Sequence, residues 1–442
     1  MMIETIGLTE RILATLKGLI EHHSSSRCVA ERMGQAHNYV ARILRGETKL
    51  RLDVLERILE TLGVPHHLFM QMVIAGQPSE TDAVELLRFL SGRRQPDEAF
   101  LTDIEPTLDV LLRMPLTDDA DHPRATDELD RLETLRRSDK EGAEKGLEAL
   151  IFALLTDPPV PVPRELLEDL AIALATYGTV QRFMGRRVDS AFGFQLALRA
   201  GARGGRPAGL AHPFRKAAFL IRDFGYGDVG IRFLETAREY FLRGGDTVRC
   251  FEIFGDRAGM WVSLGEIENA LGDYKTALTL LPVEDHRQRY SLLAGLTYCH
   301  EQLGDLPKAL ETASQAEALH DGREDIAFAF FVWNRAKLAA AVGESILGVE
   351  QFRRALTLLA QYSEPVDVAL CALDFAELLI SLGEPLAVKK LADEMLSWLP
   401  AFRGSRTADA VIAELIRCAK WGEVTSQFVD GARERLQRAR NS

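Results

Sequence analysis

The sequence predicts an all-α protein in which a small N-terminal helical domain precedes an α-solenoid of helix pairs. Apolar residues recur at helical spacing in nearly every segment, and alternating strand patterns are scarce. Glycines flanked by small residues recur in the second half at a period typical of helical repeats. The 442 residues also exceed the size of one compact core, which favours several domains or an extended array.

The charge distribution restricts where nucleic acid could bind. The net charge of −12 excludes a chain that binds nucleic acid over its whole surface. Residues 1–76 carry nine Lys/Arg and eight Asp/Glu, a net of +1, so the remainder carries about −13. We therefore expect any nucleic-acid contact to be confined to the N-terminal segment.

Several classes of protein are not expected. The five cysteines are odd in number and no two have metal or redox spacing, which favours a reduced cytoplasmic location. The first twenty residues lack the features of a signal peptide, and no stretch approaches 18 uncharged apolar residues, so no membrane partner is expected. No motif supports a catalytic set, a metal site or a cofactor, so enzyme activity is not expected.

The first element, residues 8–75, predicts about five short helices. Gly34 permits a tight turn between two of them, and Gly46 ends the second. Further on, another amphipathic helix is indicated. The apolar positions that define these helices are Val29, Ala30, Met33, Val40, Ile43, Leu52, Leu55, Ile58, Leu59 and Leu62.

This spacing resembles the helix-turn-helix of the Cro and phage-repressor (XRE) family over about residues 10–70, including the ending at Gly63 and Phe69. In that family the second helix of the motif enters the major groove. The resemblance implies base contacts through its exposed early positions, and Asn and Arg can pair bidentately with adenine and guanine. These positions are His37, Asn38, Tyr39 and Arg42. Phosphate contacts are implied for Ser26, Arg27, Arg45, Lys49 and Arg51.

Two positions depart from the family pattern. Gln35 stands where a small apolar residue is usual, and Ala36 stands where the family offers a capping hydroxyl, so we expect an uncapped helix start. Family members bind double-stranded DNA as dimers, which implies a homodimer with its interface in the C-terminal domain. The alternative is a helical bundle whose polar residues are only solvated.

The second element, residues 77–163, predicts a helical connecting region that ends in an extended proline-rich linker at 158–163. The expected domains are therefore 1–76, 77–163 and 164–442.

The third element predicts repeated helix pairs, because a left-handed glycine can end one helix and small residues let the next pack closely. Gly225 and Gly422 are expected to be centres of weaker units. The pattern resembles the tetratricopeptide repeat over about residues 210–440, although the aromatic signature is mostly absent and a related repeat with longer helices remains an alternative. Four best-matching turn glycines, 32, 39 and 40 residues apart, are Gly272, Gly304, Gly343 and Gly383.

The first helices of such pairs line a concave surface, where amides, aromatic rings and charges can hold a peptide. The repeat register places there Arg215, Arg222, Asn269, Tyr298, Trp333, Asn334 and Lys337, together with Glu266, Glu301 and Glu377. Solvated faces or contacts between helices are the alternative for each residue, and Trp333 fits a core position equally well.

The order of domains resembles that of the peptide-pheromone-responsive regulators of bacteria. The resemblance implies a dimeric, sequence-specific transcriptional regulator whose repeat domain dimerises and binds a peptide or protein ligand that controls DNA binding. The alternative is a protein-interaction scaffold, or an antitoxin- or defence-type partner protein, whose N-terminal domain does not read DNA.

Overall fold

The chain forms 22 helices and one sheet of two short strands within the residues that the structure describes. The predicted all-α class is therefore confirmed. The computed structural model describes residues 8–23, 25–62, 64, 69–70, 73, 78–91, 95–118, 123–136, 139–282, 284–362, 365–396, 406–421 and 424–441. No helix among them is both long and apolar enough to cross a membrane.

Two compact units divide the chain, Met1–Ile253 and Phe254–Ser442. This division differs from the expected domain boundaries after residues 76 and 163. A compact unit can contain more than one functional domain, so those boundaries stay a prediction.

The first unit begins with four short helices around one apolar core. They are α1 (Leu8–His23), α2 (Ser26–Arg32), α3 (Tyr39–Leu44) and α4 (Leu52–Leu62). Each contributes fully buried side chains, among them Leu16, Ala30, Ile43 and Ile58. A fifth helix in this segment stays a prediction, because most of residues 63–77 lie outside the described ones.

The connecting region contains four helices and the short parallel sheet. These are α5 (Glu80–Leu90), α6 (Ala99–Leu111), β1 (Leu116–Thr117), α7 (Thr126–Leu135), α8 (Lys140–Leu155) and β2 (Val162–Pro163). The proline-rich segment is extended as expected, but its end is anchored in the fold. Val162 is fully buried, and its backbone N–H donates to the Pro115 carbonyl at 2.8 Å.

Helices then follow one another in pairs through both units. The helices up to the division are α9 (Arg164–Phe183), α10 (Arg187–Gly204), α11 (Pro207–Asp223), α12 (Gly227–Arg243) and α13 (Arg249–Leu264), the last of which contains the division. The second unit continues with α14 (Ile267–Leu280), α15 (His286–Gln302), α16 (Leu306–Leu319), α17 (Ile326–Ala341), α18 (Ser345–Tyr362), α19 (Pro365–Ser381), α20 (Pro385–Leu396), α21 (Arg406–Trp421) and α22 (Ser426–Asn441).

A glycine with a positive φ follows the first helix of each of the first six pairs, and φ at these glycines lies between 72° and 88°. Successive turn glycines are 39 or 40 residues apart, so the predicted array of helix pairs is confirmed with a regular period. The glycines are Gly185, Gly225, Gly265, Gly304, Gly343 and Gly383.

One predicted turn is wrong. Gly272 lies inside α14, and the turn of that pair is at Gly265. Both glycines follow a leucine and precede an acidic residue, so the local sequence does not distinguish them. Gly225 is a turn as expected, whereas Gly422 lies outside the described residues.

Candidate nucleic-acid interface and repeat cavity

Helices α2 and α3 are joined by a turn in which Gly34 has a φ of 65°. The hydroxyl of Ser25 caps α2 by accepting a hydrogen bond from the backbone N–H of Cys28 at 3.3 Å. Helix α3 has no such cap, because the side chain of its N-cap residue, Asn38, makes no capping hydrogen bond. The uncapped start is as expected, but it lies two residues later than Ala36.

The predicted base-contacting residues cluster where α3 begins. His37 and Asn38 lie in the turn before the helix and are exposed, Tyr39 is its half-buried first residue, and Arg42 is exposed one turn later. The fully buried Val40 anchors α3 in the core. The fold therefore brings all four predicted residues together within and just before one short helix.

One carboxylate lies beside two of the predicted DNA-contacting side chains. Glu31, on α2, accepts a hydrogen bond from Nε of Arg27 at 3.1 Å. The same Oε1 atom lies 2.9 Å from Nδ1 of His37. This carboxylate therefore offsets positive charge where the resemblance places phosphate and base contacts.

A second carboxylate has the same relation to the cations after α3. Glu47 accepts from Nε of Arg45 at 2.6 Å and lies 3.7 Å from Nε of Arg42. The hydrogen bond from Arg45 lowers the pKa of Glu47. Arg51 makes a similar pair with Asp53, at 3.0 Å. Exposed pairs such as these contribute little stability, so their partners can be exchanged at low cost.

The remaining two predicted phosphate contacts carry no such pair. Ser26 is the half-buried first residue of α2. Lys49 is exposed and has no ion-pair partner among the described residues. Lys49 is thus a cation of this surface that no carboxylate offsets.

A partly buried ion pair fixes the N-terminal helices to the connecting region within the first unit. Arg11 of α1 lies 2.5 Å from Asp82 of α5, whose side chain is only 9% exposed. Asp82 also completes a capping box with Ser79 at the start of α5. Breaking this pair would leave a largely buried carboxylate without its cation, so α1 is held firmly against α5.

The second unit contains a cavity of about 820 Å³, which we call the repeat cavity. First helices of three successive pairs, α15, α17 and α19, supply much of its wall. Four of the seven predicted groove residues line it, and so do two of the acidic residues placed beside them. They are Tyr298, Trp333, Asn334, Lys337, Glu301 and Glu377.

Three predicted groove residues lie elsewhere. Arg215 and Arg222 belong to α11 in the first unit, where the Arg215 guanidinium pairs with Glu252. Asn269 is exposed at the start of α14 and not on a first helix. The cause for Asn269 is the misplaced turn, because taking Gly272 as the turn assigns the residues before it to the wrong helix.

Polar side chains in the repeat cavity are paired with one another. Nζ of Lys337 donates to Oε2 of Glu301 at 2.9 Å and lies 5.6 Å from the centre of the Tyr298 ring. Nε1 of Trp333 donates to Oδ2 of Asp374 at 3.0 Å, so Trp333 has a polar partner as well as a packing role. Burial raises the pKa of Asp374 despite these neighbours.

Sequence reasoning missed Asp374 and Arg433. Nη2 of Arg433, on the last helix α22, donates to Oδ1 of Asp374 at 2.9 Å and to Oε2 of Glu377 at 2.5 Å. A register of first helices cannot indicate a residue that reaches the cavity from the end of the chain. Asn334 is only 9% exposed, and its amide has no hydrogen-bond partner within the described part of the chain.

Comparisons with known proteins bear on both regions. Residues 27–69 match the helix-turn-helix family model, and no curated protein matches the chain. Among solved structures, the chain is similar to a tetratricopeptide repeat protein from Parabacteroides merdae, with 14% identity and a TM-score of 0.41 over 66% of this chain and 99% of that one. It is also similar to aspartyl phosphate phosphatase F from Bacillus subtilis, with 13% identity and a TM-score of 0.43 over 96% and 97%.

Both TM-scores lie below 0.5, so the repeat architecture rests on the helix pairs and turn glycines of this chain itself. The match in the N-terminal segment coincides with α2, the Gly34 turn, α3 and α4. Residues 27–69 therefore form a domain of the helix-turn-helix family.

Proposed function

We propose that this protein is a sequence-specific transcriptional regulator that acts in the cytoplasm and binds DNA through α3. The observation that carries the proposal is the exposed group His37, Asn38 and Arg42 at the start of the second helix of a helix-turn-helix domain. Asn and Arg are the side chains that read adenine and guanine edges in the major groove. The domains we infer are 1–76 for DNA binding, 77–163 as the connecting region and 164–442 for the repeats.

The proposed active form is a homodimer. One such domain reaches few phosphates, so a single copy would bind weakly and with strong salt dependence. Two copies would read half-sites separated by about 34 Å, one turn of B-DNA. We infer that the repeats supply the dimer interface, as the resemblance implies.

The test of DNA reading is a gel shift of the full chain on DNA from upstream of its own gene, with salt titrated. Arg42→Ala and Asn38→Ala should each reduce discrimination between operator and unrelated DNA by about 1–3 kcal/mol. Lys49→Ala is the matched control, since loss of a phosphate contact weakens all sequences equally and reduces the salt slope by about one. Unchanged sequence preference in both base-contact variants would refute the assignment of α3.

The second part of the proposal is that a peptide or protein bound in the repeat cavity controls DNA binding. Its support is the unpartnered amide of Asn334, which can both donate to and accept from a peptide group. Tyr298 and Trp333 add aromatic surface to the same wall. A ligand changes DNA affinity only if its own affinity differs between the two DNA-binding states.

A protein-interaction scaffold is the second candidate. The observation that favours it is the pairing of Arg27 and Arg45 with Glu31 and Glu47, which offsets charge where phosphates would bind. The same salt titration separates the two functions. Binding with no sequence preference at any salt concentration would favour the scaffold.

A further inference from the structure

The acidic end of the repeat cavity is occupied by a cation from the end of the chain. Arg433 donates to both Asp374 and Glu377, and it also pairs with Asp430 of its own helix at 3.1 Å. The Asp374 side chain is 15% exposed, so it depends on this cation far more than a surface carboxylate would.

The packing of α22 differs from that of an ordinary second helix of a pair. Besides its partner α21, α22 packs on α19, which is the first helix of the preceding pair and supplies Asp374 and Glu377. Few apolar side chains hold it there. Among the described side chains of α22, the buried ones are Val429, Ala432 and Leu436.

The charges in the cavity wall are unequal without α22. Its carboxylates are Glu301, Asp374 and Glu377, and its cations are Lys337 and Arg433. Lys337 donates to Glu301, 2.9 Å away. Removal of Arg433 would therefore leave two neighbouring carboxylates, one of them largely buried, without the guanidinium that now bridges them, and this end of the cavity would select another cation.

We propose that the repeat cavity binds a peptide segment that presents an arginine or lysine side chain to Asp374 and Glu377. Arg433 of α22 occupies that position until such a segment displaces it, so α22 is an intramolecular competitor. The amide of Asn334, on the neighbouring first helix, hydrogen-bonds the incoming backbone. The volume of about 820 Å³ lies within the usual range of ligand pockets.

The probe is a fluorescein-labelled synthetic peptide with the sequence of residues 426–441, titrated with the full chain and followed by fluorescence anisotropy. Arg433→Ala weakens the hold of the chain's own α22, so this variant should bind the probe at least about tenfold more tightly than the unaltered chain. A probe that itself carries R433A should bind the Arg433→Ala chain at least about tenfold more weakly than the unaltered probe.

Arg435→Ala is the matched control, because Arg435 lies on the same helix but pairs with Glu414, outside the cavity wall. It should bind the probe like the unaltered chain, and so should Arg433→Lys, which keeps a cation. Hydrogen exchange checks that α19 stays protected in each variant. Equal probe binding by the unaltered chain, Arg433→Ala and Arg435→Ala would overturn the proposal, and so would no binding by any of them.

This inference deepens the ligand part of the proposed function and rests on it, but the two can fail separately. The probe titration contains no DNA, so a negative result there leaves the gel-shift test of α3 unaffected. A probe that binds as expected without changing DNA affinity would instead overturn ligand control while supporting the cavity assignment.

Discussion

Replacing Gly265 and Gly272 separately by alanine tests the position of the turn between α13 and α14. The two glycines lie seven residues apart in nearly identical local sequence. In the structure Gly265 forms the turn with a φ of 79°, and Gly272 lies inside α14. Alanine should therefore have opposite effects at the two positions.

The expected magnitudes follow from backbone conformation alone. A methyl group added at either glycine would meet no heavy atom within 4 Å, so steric clashes do not contribute. Alanine at Gly265 must adopt a left-handed conformation, which costs about 1–2 kcal/mol. Alanine at Gly272 removes a glycine from a helix, which gains about 0.5–1 kcal/mol. The two variants should then differ by about 2 kcal/mol in local stability.

Native-state hydrogen exchange of the full chain is the suitable assay, because it resolves the opening free energy of individual helices. Amides of α13 and α14 should exchange faster in Gly265→Ala and more slowly in Gly272→Ala. Faster exchange in Gly272→Ala, or the same sign of change in both variants, would refute the placement of the turn.

Three further changes test electrostatics and packing. Glu47→Gln should raise DNA affinity and steepen its salt dependence by about one, measured by anisotropy, because two guanidinium groups become available to phosphates. Gly201→Ala should cost about 1–3 kcal/mol in chemical denaturation, since its methyl group would lie 2.1 Å from the Gly209 carbonyl oxygen. Burial acts to raise the pKa of Glu133, but Lys216 more than offsets it and lowers this pKa to about 2. Glu133 thus stabilises the fold above pH 4.5 and loses that effect as the pH falls to about 2. Glu133→Gln should cost about 2 kcal/mol at pH 7, and the difference should vanish near pH 2 in the same denaturation assay.

Each of these changes has a control in the same chain. Glu60→Gln removes the same charge from α4, where Glu60 is exposed and makes no ion pair within the described residues. An equal gain in DNA affinity there would contradict the role given to Glu47. Gly431→Ala should be harmless, because its methyl group meets nothing within 4 Å. Glu128→Gln, in an exposed pair with Arg131, should change stability little at any pH, and a loss as large as that at Glu133 would contradict the burial argument.

The fold class and the helix pairs could be predicted from periodicity, since both depend on repeated local signals. The turn at Gly265 could not be distinguished from Gly272, because a leucine, a glycine and an acidic residue occur in that order at both. Only the lengths of α13 and α14, which tertiary packing sets, decide between them.

The candidate sites were predictable to different extents. The cluster around α3 follows from short-range spacing within one domain, and the structure keeps His37 and Arg42 together on it. In the repeat cavity, the register along first helices found Trp333 and Asn334. It could not find Arg433, because that side chain reaches Asp374 through packing between residues 59 positions apart in the sequence.

The spacing of 39 or 40 residues between turn glycines also bears on how such a chain can change its length. Joining equivalent positions of two neighbouring pairs would remove one complete pair and leave every remaining helix beside the same kind of neighbour. Duplication of one period would insert a pair in the same way. Wall positions of the cavity recur on successive first helices, so its size could be altered by whole modules while the residues of α3 stay unchanged.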